Sequence, residues 1–280
     1  MSEARAKTLI SSDGLIELLE AGAPVVLLDV LDEKGAAPAD RPRIPGALSV
    51  HLATDFSARP TKTSGRRPLP DIMDLQANAR RWGINPHSLV VVYDNAGGAQ
   101  ASRAWWTLRW AGFDNVRILD GGFAAWKASG RPVSNDHVEE AERAGVVRLR
   151  AGHMPTLTAD DAAALARGHL LLDARGKAAY LGEEGKAGTG HIPGAICAPS
   201  GANLTPEGAF RPHGELCAAF EALGLDGQRK VGVYCGSGNA AAHAIAALHA
   251  IGVEAPLYVG SWSAWTSDPS RPAAIGPERG

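Results

Sequence analysis

The sequence predicts an α/β protein of two tandem domains, each a mainly parallel sheet with helices on both faces. Two observations carry this. The chain is written twice, and within each copy short apolar runs of strand character alternate with segments of helical period. Val25-Val-Leu-Leu-Asp29 returns as His169-Leu-Leu-Leu-Asp173, and Ile44-Pro-Gly-Ala47 returns as Ile192-Pro-Gly-Ala195. Val91-Val-Tyr93-Asp94 matches Gly232-Val-Tyr234-Cys235. Leu119-Asp-Gly-Gly-Phe-Ala-Ala-Trp126 matches Tyr258-Val-Gly-Ser-Trp-Ser-Ala-Trp265. Blocks matched in one order make two homologous domains, expected over residues 1–135 and 155–280. The charged, weakly periodic stretch 136–154 is expected as a linker.

Each copy opens on a helix start. Ser11 or Ser12 precedes Leu15, Leu18 and Leu19 in the first; Thr158 with Asp161 makes a capping-box pattern in the second. A buried strand ending in Asp29 or Asp173 follows. A second helix is read from Ile72, Leu75, Ala79 and Trp82, and from Leu216, Phe220 and Leu223. Then come a strand, a glycine-rich turn and a long helix. A last strand (116–119, 257–259) and a short helix containing tryptophan close the unit.

Composition bounds the function. In 280 residues, 45% are hydrophobic and 21% charged, an ordinary globular balance with room for two cores. A net charge of −2 gives no reason to expect nucleic acid or a membrane surface as partner. No apolar run approaches the ~18 residues of a membrane helix, and the first residues lack the apolar core of a signal peptide. Three cysteines, Cys197, Cys217 and Cys235, imply no disulfide framework, so a cytoplasmic location with reduced thiols is expected.

The chemistry concentrates at Cys235-Gly-Ser-Gly-Asn-Ala240. A cysteine at the end of a buried strand meets a glycine turn, and an alanine-rich helix starts behind it. Glycines open the backbone N–H groups, and the helix adds its own unpaired amides and the positive end of its dipole. Such a cradle favours a thiolate and holds an anion. Alone, a cysteine is more often a small core residue; the turn and helix favour chemistry. In the first copy the equivalent position is Asp94. A carboxylate accepts no sulfur but can fill the same cradle and cap the helix behind it. Asp94 is therefore expected to be a structural plug, which leaves one active site. Trp105 and Trp106 are expected to pack.

Cys235-Gly-Ser-Gly-x-x-Ala resembles the active-site loop of the rhodanese-type sulfurtransferases in its mercaptopyruvate version. Asp173-Ala-Arg175, Gly190-His-Ile-Pro-Gly-Ala195 and Gly260-Ser-Trp-Ser-Ala-Trp265 are similar to blocks of that family's catalytic domain, Arg103-Ala-Trp-Trp and Asp120-Gly-Gly to blocks of the inactive one. The resemblance covers nearly the whole chain. It implies two tandem rhodanese-like domains, with Cys235 as the catalytic residue. Gly236, Ser237, Gly238, Asn239 and Ala240 would bind the substrate. A small anionic donor, 3-mercaptopyruvate or thiosulfate, would give its sulfane sulfur to Cys235, and the persulfide would pass it to a thiol, cyanide or a thioredoxin-like acceptor without a cofactor. With no His/Cys cluster at ligand spacing, no metal is expected.

The sequence departs from the family at three places. Ala179 stands where an arginine usually holds the donor's anionic group, and Asn239-Ala240 replaces a Val-Thr pair. The partners usually proposed for the loop serine, a His and an Asp of the first domain, align near His51 and Arg67. Substitute cations are Lys186 and Arg67, with Arg66 and Arg211 beside them; each is otherwise a solvated charge. His191 is read as a structural hydrogen-bonding residue, and Cys197 and Cys217 are expected to be core residues. Two other functions compete. A cysteine phosphatase needs an arginine at the position of Ala241 to hold phosphoryl oxygens bidentately, which argues against it. A non-enzymatic persulfide carrier that has lost donor recognition finds its support in Ala179. Between donors, the neutral loop favours mercaptopyruvate, since thiosulfate-type loops usually carry cations after the cysteine; the missing arginine weakens that preference, and a thiosulfate-preferring rhodanese stays open as the alternative.

Overall fold

The computed structural model describes residues 2–32 and 41–280. They form two compact units. The first comprises residues 2–32, 41–58, 69–154 and 205–210; the second comprises Arg59–Pro68, Pro155–Leu204 and Arg211–Gly280.

In the first unit, strands β1 (Leu9–Ile10), β2 (Val25–Leu31), β3 (Leu48–His51), β4 (Leu89–Tyr93) and β5 (Val116–Leu119) make a five-stranded sheet, ordered β1-β5-β4-β2-β3. The second unit repeats it with β6 (Thr156–Leu157), β7 (Leu170–Asp173), β8 (Ile196–Cys197), β9 (Val231–Tyr234) and β10 (Leu257–Tyr258), ordered β6-β10-β9-β7-β8. All pairings are parallel, and matched strands sit in matched register: Asp29 opposite Tyr93, Asp173 opposite Tyr234. Parallel strands covered on both faces need continuous apolar runs. Val90, Val91, Val92 and Tyr93, like Leu170, Leu171 and Leu172, are buried. In both sheets the chain reverses its direction of travel between the central pair, β2/β4 and β7/β9. The C-terminal ends of such a pair frame the crevice where open α/β sheets bind ligands.

Helix starts follow the sequence signals. The Ser11 side chain accepts from the Gly14 N–H at 3.1 Å, and Asp71 accepts from Met73 and Asp74. Thr158 and Asp161 form a reciprocal capping box. The two central helices, Ala99–Trp110 and Asn239–Ala250, begin differently. Their N-caps are glycines in the left-handed region (Gly98, φ 84°; Gly238, φ 99°) with no side-chain cap, which leaves the first amides for another acceptor. Both helices are buried along almost all of their length. Trp105 and Trp106 pack inside the first unit, under Arg109 and Arg103.

Residues 136–154 contain no helix and run along the first unit. Val138 bridges Leu48, the Val147 N–H reaches Ile84, and the His153 N–H reaches Trp110. The segment Thr205–Phe210 also lies on this unit, where the half-buried carboxylate of Asp120 accepts from the Phe210 N–H at 2.7 Å and from Arg5 at 3.0 Å. Two-residue edge strands β1 and β6, and strands β3 and β8 after the Ile-Pro-Gly-Ala turns, complete the sheets beyond what periodicity predicts.

His243, on the helix Asn239–Ala250, is 1% exposed, and burial lowers its pKa from the ordinary 6.5 to about 4. The folded protein therefore holds this imidazole neutral while the unfolded chain protonates it. Stability is complete above pH 6.5 and falls as the pH drops from 6.5 toward 4, by on the order of 3 kcal/mol. A His243→Leu variant should show a flatter melting-temperature profile over that window, measured by calorimetry; an unchanged slope would assign the acid loss to other groups.

Candidate active site

Cys235 follows β9 directly, at the C-terminal end of the central strand pair. Its Sγ accepts from the Gly238 N–H at 3.0 Å, and the residue is 2% exposed. Its own N–H donates to Ser261 Oγ at 3.3 Å, and that hydroxyl donates to the Tyr258 carbonyl at 2.9 Å. The Cys235 carbonyl accepts from Trp262 N–H (2.8 Å) and the Gly236 carbonyl from Ser263 N–H (3.1 Å). The loop is thus held on its backbone by the start of the helix Ser261–Trp265. Ser261 has φ 52°, the one non-glycine among the described residues in the left-handed region. Strain of about 1–3 kcal/mol persists only where surroundings enforce it, and such residues cluster at functional sites.

The first unit shows what the cradle can hold. Asp94 occupies the place of Cys235 and is 2% exposed. One carboxylate oxygen accepts from the N–H groups of Ala96 and Gly98 (both 2.8 Å), the other from Gln100 (2.9 Å) and Ala101 (2.8 Å). Counted from the N-cap glycines, the amides of Gly98, Gln100 and Ala101 correspond to those of Gly238, Ala240 and Ala241. As expected of a plug, a carboxylate fills this cradle, held by four backbone amides and, among the described residues, by no ion pair. Gly122, the counterpart of Ser261, has φ 60°, and a Cβ there would stand 2.6 Å from the Asp94 carbonyl oxygen. Ser261 therefore marks the site by departing from glycine in the repeat, a signal the matched blocks contained and sequence reading passed over.

A buried network supports the loop from below. The Tyr234 hydroxyl donates to Asp173 at 2.6 Å and accepts from the Ile192 N–H at 3.1 Å. Arg175 grips both Asp173 oxygens and stacks over Trp262 at 4.6 Å. Burial and the Asp173 charge push the Tyr234 hydroxyl well above its ordinary pKa, so it stays a neutral donor.

The predicted cations fall in different places. Lys186 pairs with Glu183 at 2.8 Å on an exposed segment. Arg211 donates to the Leu204 carbonyl (3.2 Å) and lies 4.0 Å from Glu215. Arg67 is half-buried and Ala179 exposed on the short helix Lys177–Leu181. Arg66 lies beside the loop: its Nη2 is 3.1 Å from where a Cβ on Gly236 would stand. The stretch Arg59–Pro68 belongs to the second unit. Within the loop, Gly236, Ser237, Asn239 and Ala240 are half-buried. The other expectations need small changes. His191 is structural as read, stacked on Tyr180 and bonded to the carbonyls of Tyr180 and Glu278. Cys197 and Cys217 are half-buried rather than core residues, and all three cysteines are free. Burial and the Asp173 charge push the Cys197 thiol up, away from the thiolate. No helix among the described residues is long and apolar enough to cross a membrane.

The family model described as Rhodanese-like domain matches the chain twice, over residues 11–129 and 158–268. A Mycobacterium tuberculosis (strain ATCC 25618 / H37Rv) protein named "Putative thiosulfate sulfurtransferase SseB" is 44% identical over 283 residues, covering 98% of this chain and 99% of its own. A Pseudomonas aeruginosa protein named "Probable 3-mercaptopyruvate sulfurtransferase" is 42% identical over 254 residues, 86% of this chain and 87% of its own. Among solved structures, the crystal structure of YnjE superposes with a TM-score of 0.82 at 24% identity, over 98% of this chain and 69% of that one, a likeness of fold.

Proposed function

Because this chain belongs to the rhodanese-like domain family, we propose that it acts as a sulfurtransferase through a persulfide on Cys235. The observation that carries the assignment is the pairing of loops. One cradle is filled by a carboxylate held on four amides; the other presents a sulfur with one amide already directed at it.

The Cys235 thiolate attacks the sulfur of 3-mercaptopyruvate. An S–S bond forms, the C–S bond breaks, and its electron pair leaves on carbon as the enolate of pyruvate, which takes up a proton. The terminal sulfur of the persulfide occupies the space that the Asp94 oxygens fill in the sister loop, where the amides of Gly238, Ala240 and Ala241 converge on its charge. An acceptor thiolate, cyanide or a thioredoxin-like protein then attacks that sulfur, and Cys235 leaves as thiolate. The cradle uses backbone amides and no side chain of Asn239 or Ala240, so the loss of the family's Val-Thr side chains costs it nothing. Turnover needs Cys235 reduced, which suits a reducing compartment such as the cytoplasm.

The loop has no cation immediately after the cysteine, so mercaptopyruvate should be the better donor. Steady-state turnover should give a kcat/KM for mercaptopyruvate about tenfold or more above that for thiosulfate, the worth of one charged contact. A reversed order would assign the site to thiosulfate. Persulfide formation without turnover on either donor would support a carrier without catalysis.

A further inference from the structure

We propose that Arg66 binds the anionic group of the small molecule that reacts at Cys235, doing here what an arginine at position 179 would do. The inference rests on the sulfurtransferase reading for the identity of that molecule, a mercaptocarboxylate, and on geometry for the residue.

Gly236 is the starting point. Its φ lies outside the left-handed region, so its backbone does not call for glycine. What lies beside it is Arg66: a Cβ on Gly236 would stand 3.1 Å from the guanidinium, which would have to give by a few tenths of an ångström. The residue next to the nucleophile is bare on the side where this guanidinium lies.

The position of Arg66 is fixed by its backbone. Its N–H donates to Ser263 Oγ at 3.0 Å, and the N–H of the same Ser263 donates to the Gly236 carbonyl at 3.1 Å. Gly65 has φ 79°, and a Cβ there would fall 2.4 Å from the Gly260 carbonyl oxygen, so the chain is pressed against the turn that supports Cys235. One serine thus registers the arginine and the cysteine loop together.

The guanidinium itself is uncommitted. Three other cations lie on or near carboxylates: Arg175 on Asp173, Lys186 on Glu183, Arg211 near Glu215. Arg66 makes no ion pair among the described residues, and it is solvent-exposed. A planar fork held beside a nucleophile and left without an acid matches a carboxylate arriving with the substrate. Ala179, exposed on its short helix, is free to be small because the charge comes from a distant stretch of sequence.

Alkylation tests this without assuming sulfur chemistry. Iodoacetate and iodoacetamide have nearly the same shape and differ in charge; each loses iodide as the Cys235 sulfur takes the carbon. The ratio of their rates at Cys235, read by peptide mass, should fall about tenfold or more in Arg66→Met, through loss of the iodoacetate rate alone. Arg66→Lys should recover part of it, keeping the charge without the fork. The KM for mercaptopyruvate should rise by a similar factor with kcat nearly kept. An unchanged ratio and KM in Arg66→Met, in protein that turns over mercaptopyruvate, would overturn the inference. A falling ratio in protein that transfers no sulfur from any donor would keep Arg66 as an anion site and retire the sulfurtransferase reading.

Discussion

Replacing Cys235 by serine should abolish sulfur transfer, by about a thousandfold or more, in protein that folds normally. Serine is nearly isosteric, and the backbone bonds that hold the loop (Cys235 N–H to Ser261, Cys235 carbonyl to Trp262) involve no sulfur. What is lost is the nucleophile. An alcohol is far harder to ionise than a thiol, and its oxygen cannot carry a sulfane sulfur to an acceptor. Cys197→Ser and Cys217→Ser should keep nearly full activity. Cys197 is held toward its neutral thiol by burial and by Asp173, and Cys217 lies on the helix His213–Ala222, away from any glycine cradle. Rates per folded molecule, normalised by circular dichroism, check this. Activity surviving in Cys235→Ser would remove the residue from the mechanism.

The second large effect belongs to Asp94, and it concerns stability rather than rate. An ordinary cap is worth about 0.5–2 kcal/mol. Here one buried carboxylate satisfies four amides, and truncation strands donors that cost about 1–3 kcal/mol each when water does not reach them. With partial rescue by water, Asp94→Ala should destabilise the first unit by about 2–4 kcal/mol. Asp94→Asn should recover only part of this, because its amide nitrogen must face N–H donors. Urea unfolding measures the loss. Transfer rate per folded molecule should change little, since Asp94 lies in the unit without a nucleophile. A large rate loss in well-folded Asp94→Asn would mean the first unit takes part in the chemistry.

These expectations began as sequence features, because the repeat is itself a physical measurement. Two copies that keep the strand, the glycine turn and the helix but exchange Asp94 for Cys235 separate what the fold needs from what one site needs. Long buried strands such as Leu89–Tyr93 and capped helices such as Ala159–Gly168 carried their own signals of apolar run and capping box. Other elements had none. Thr156–Leu157 is two residues long, too short for any period, and becomes a strand only by pairing with Leu257–Tyr258. Arg66 lies far from Cys235 along the chain, and nothing local distinguishes it from the neighbouring Arg67. Its place is set by Gly65 against Gly260 and by Ser263, contacts that exist only after folding. The left-handed φ of Ser261 is likewise a product of packing, visible in sequence only as a serine opposite Gly122 in the matched blocks.

The persulfide itself offers the most direct test. The protein is exposed to 3-mercaptopyruvate without acceptor, digested under non-reducing conditions, and mapped by mass spectrometry. One added sulfur atom should appear on the peptide bearing Cys235, with none on those bearing Cys197 or Cys217, and should disappear when cyanide is supplied. Sulfur found on Cys197 or Cys217, or a Cys235 peptide unchanged by any donor, would contradict the account.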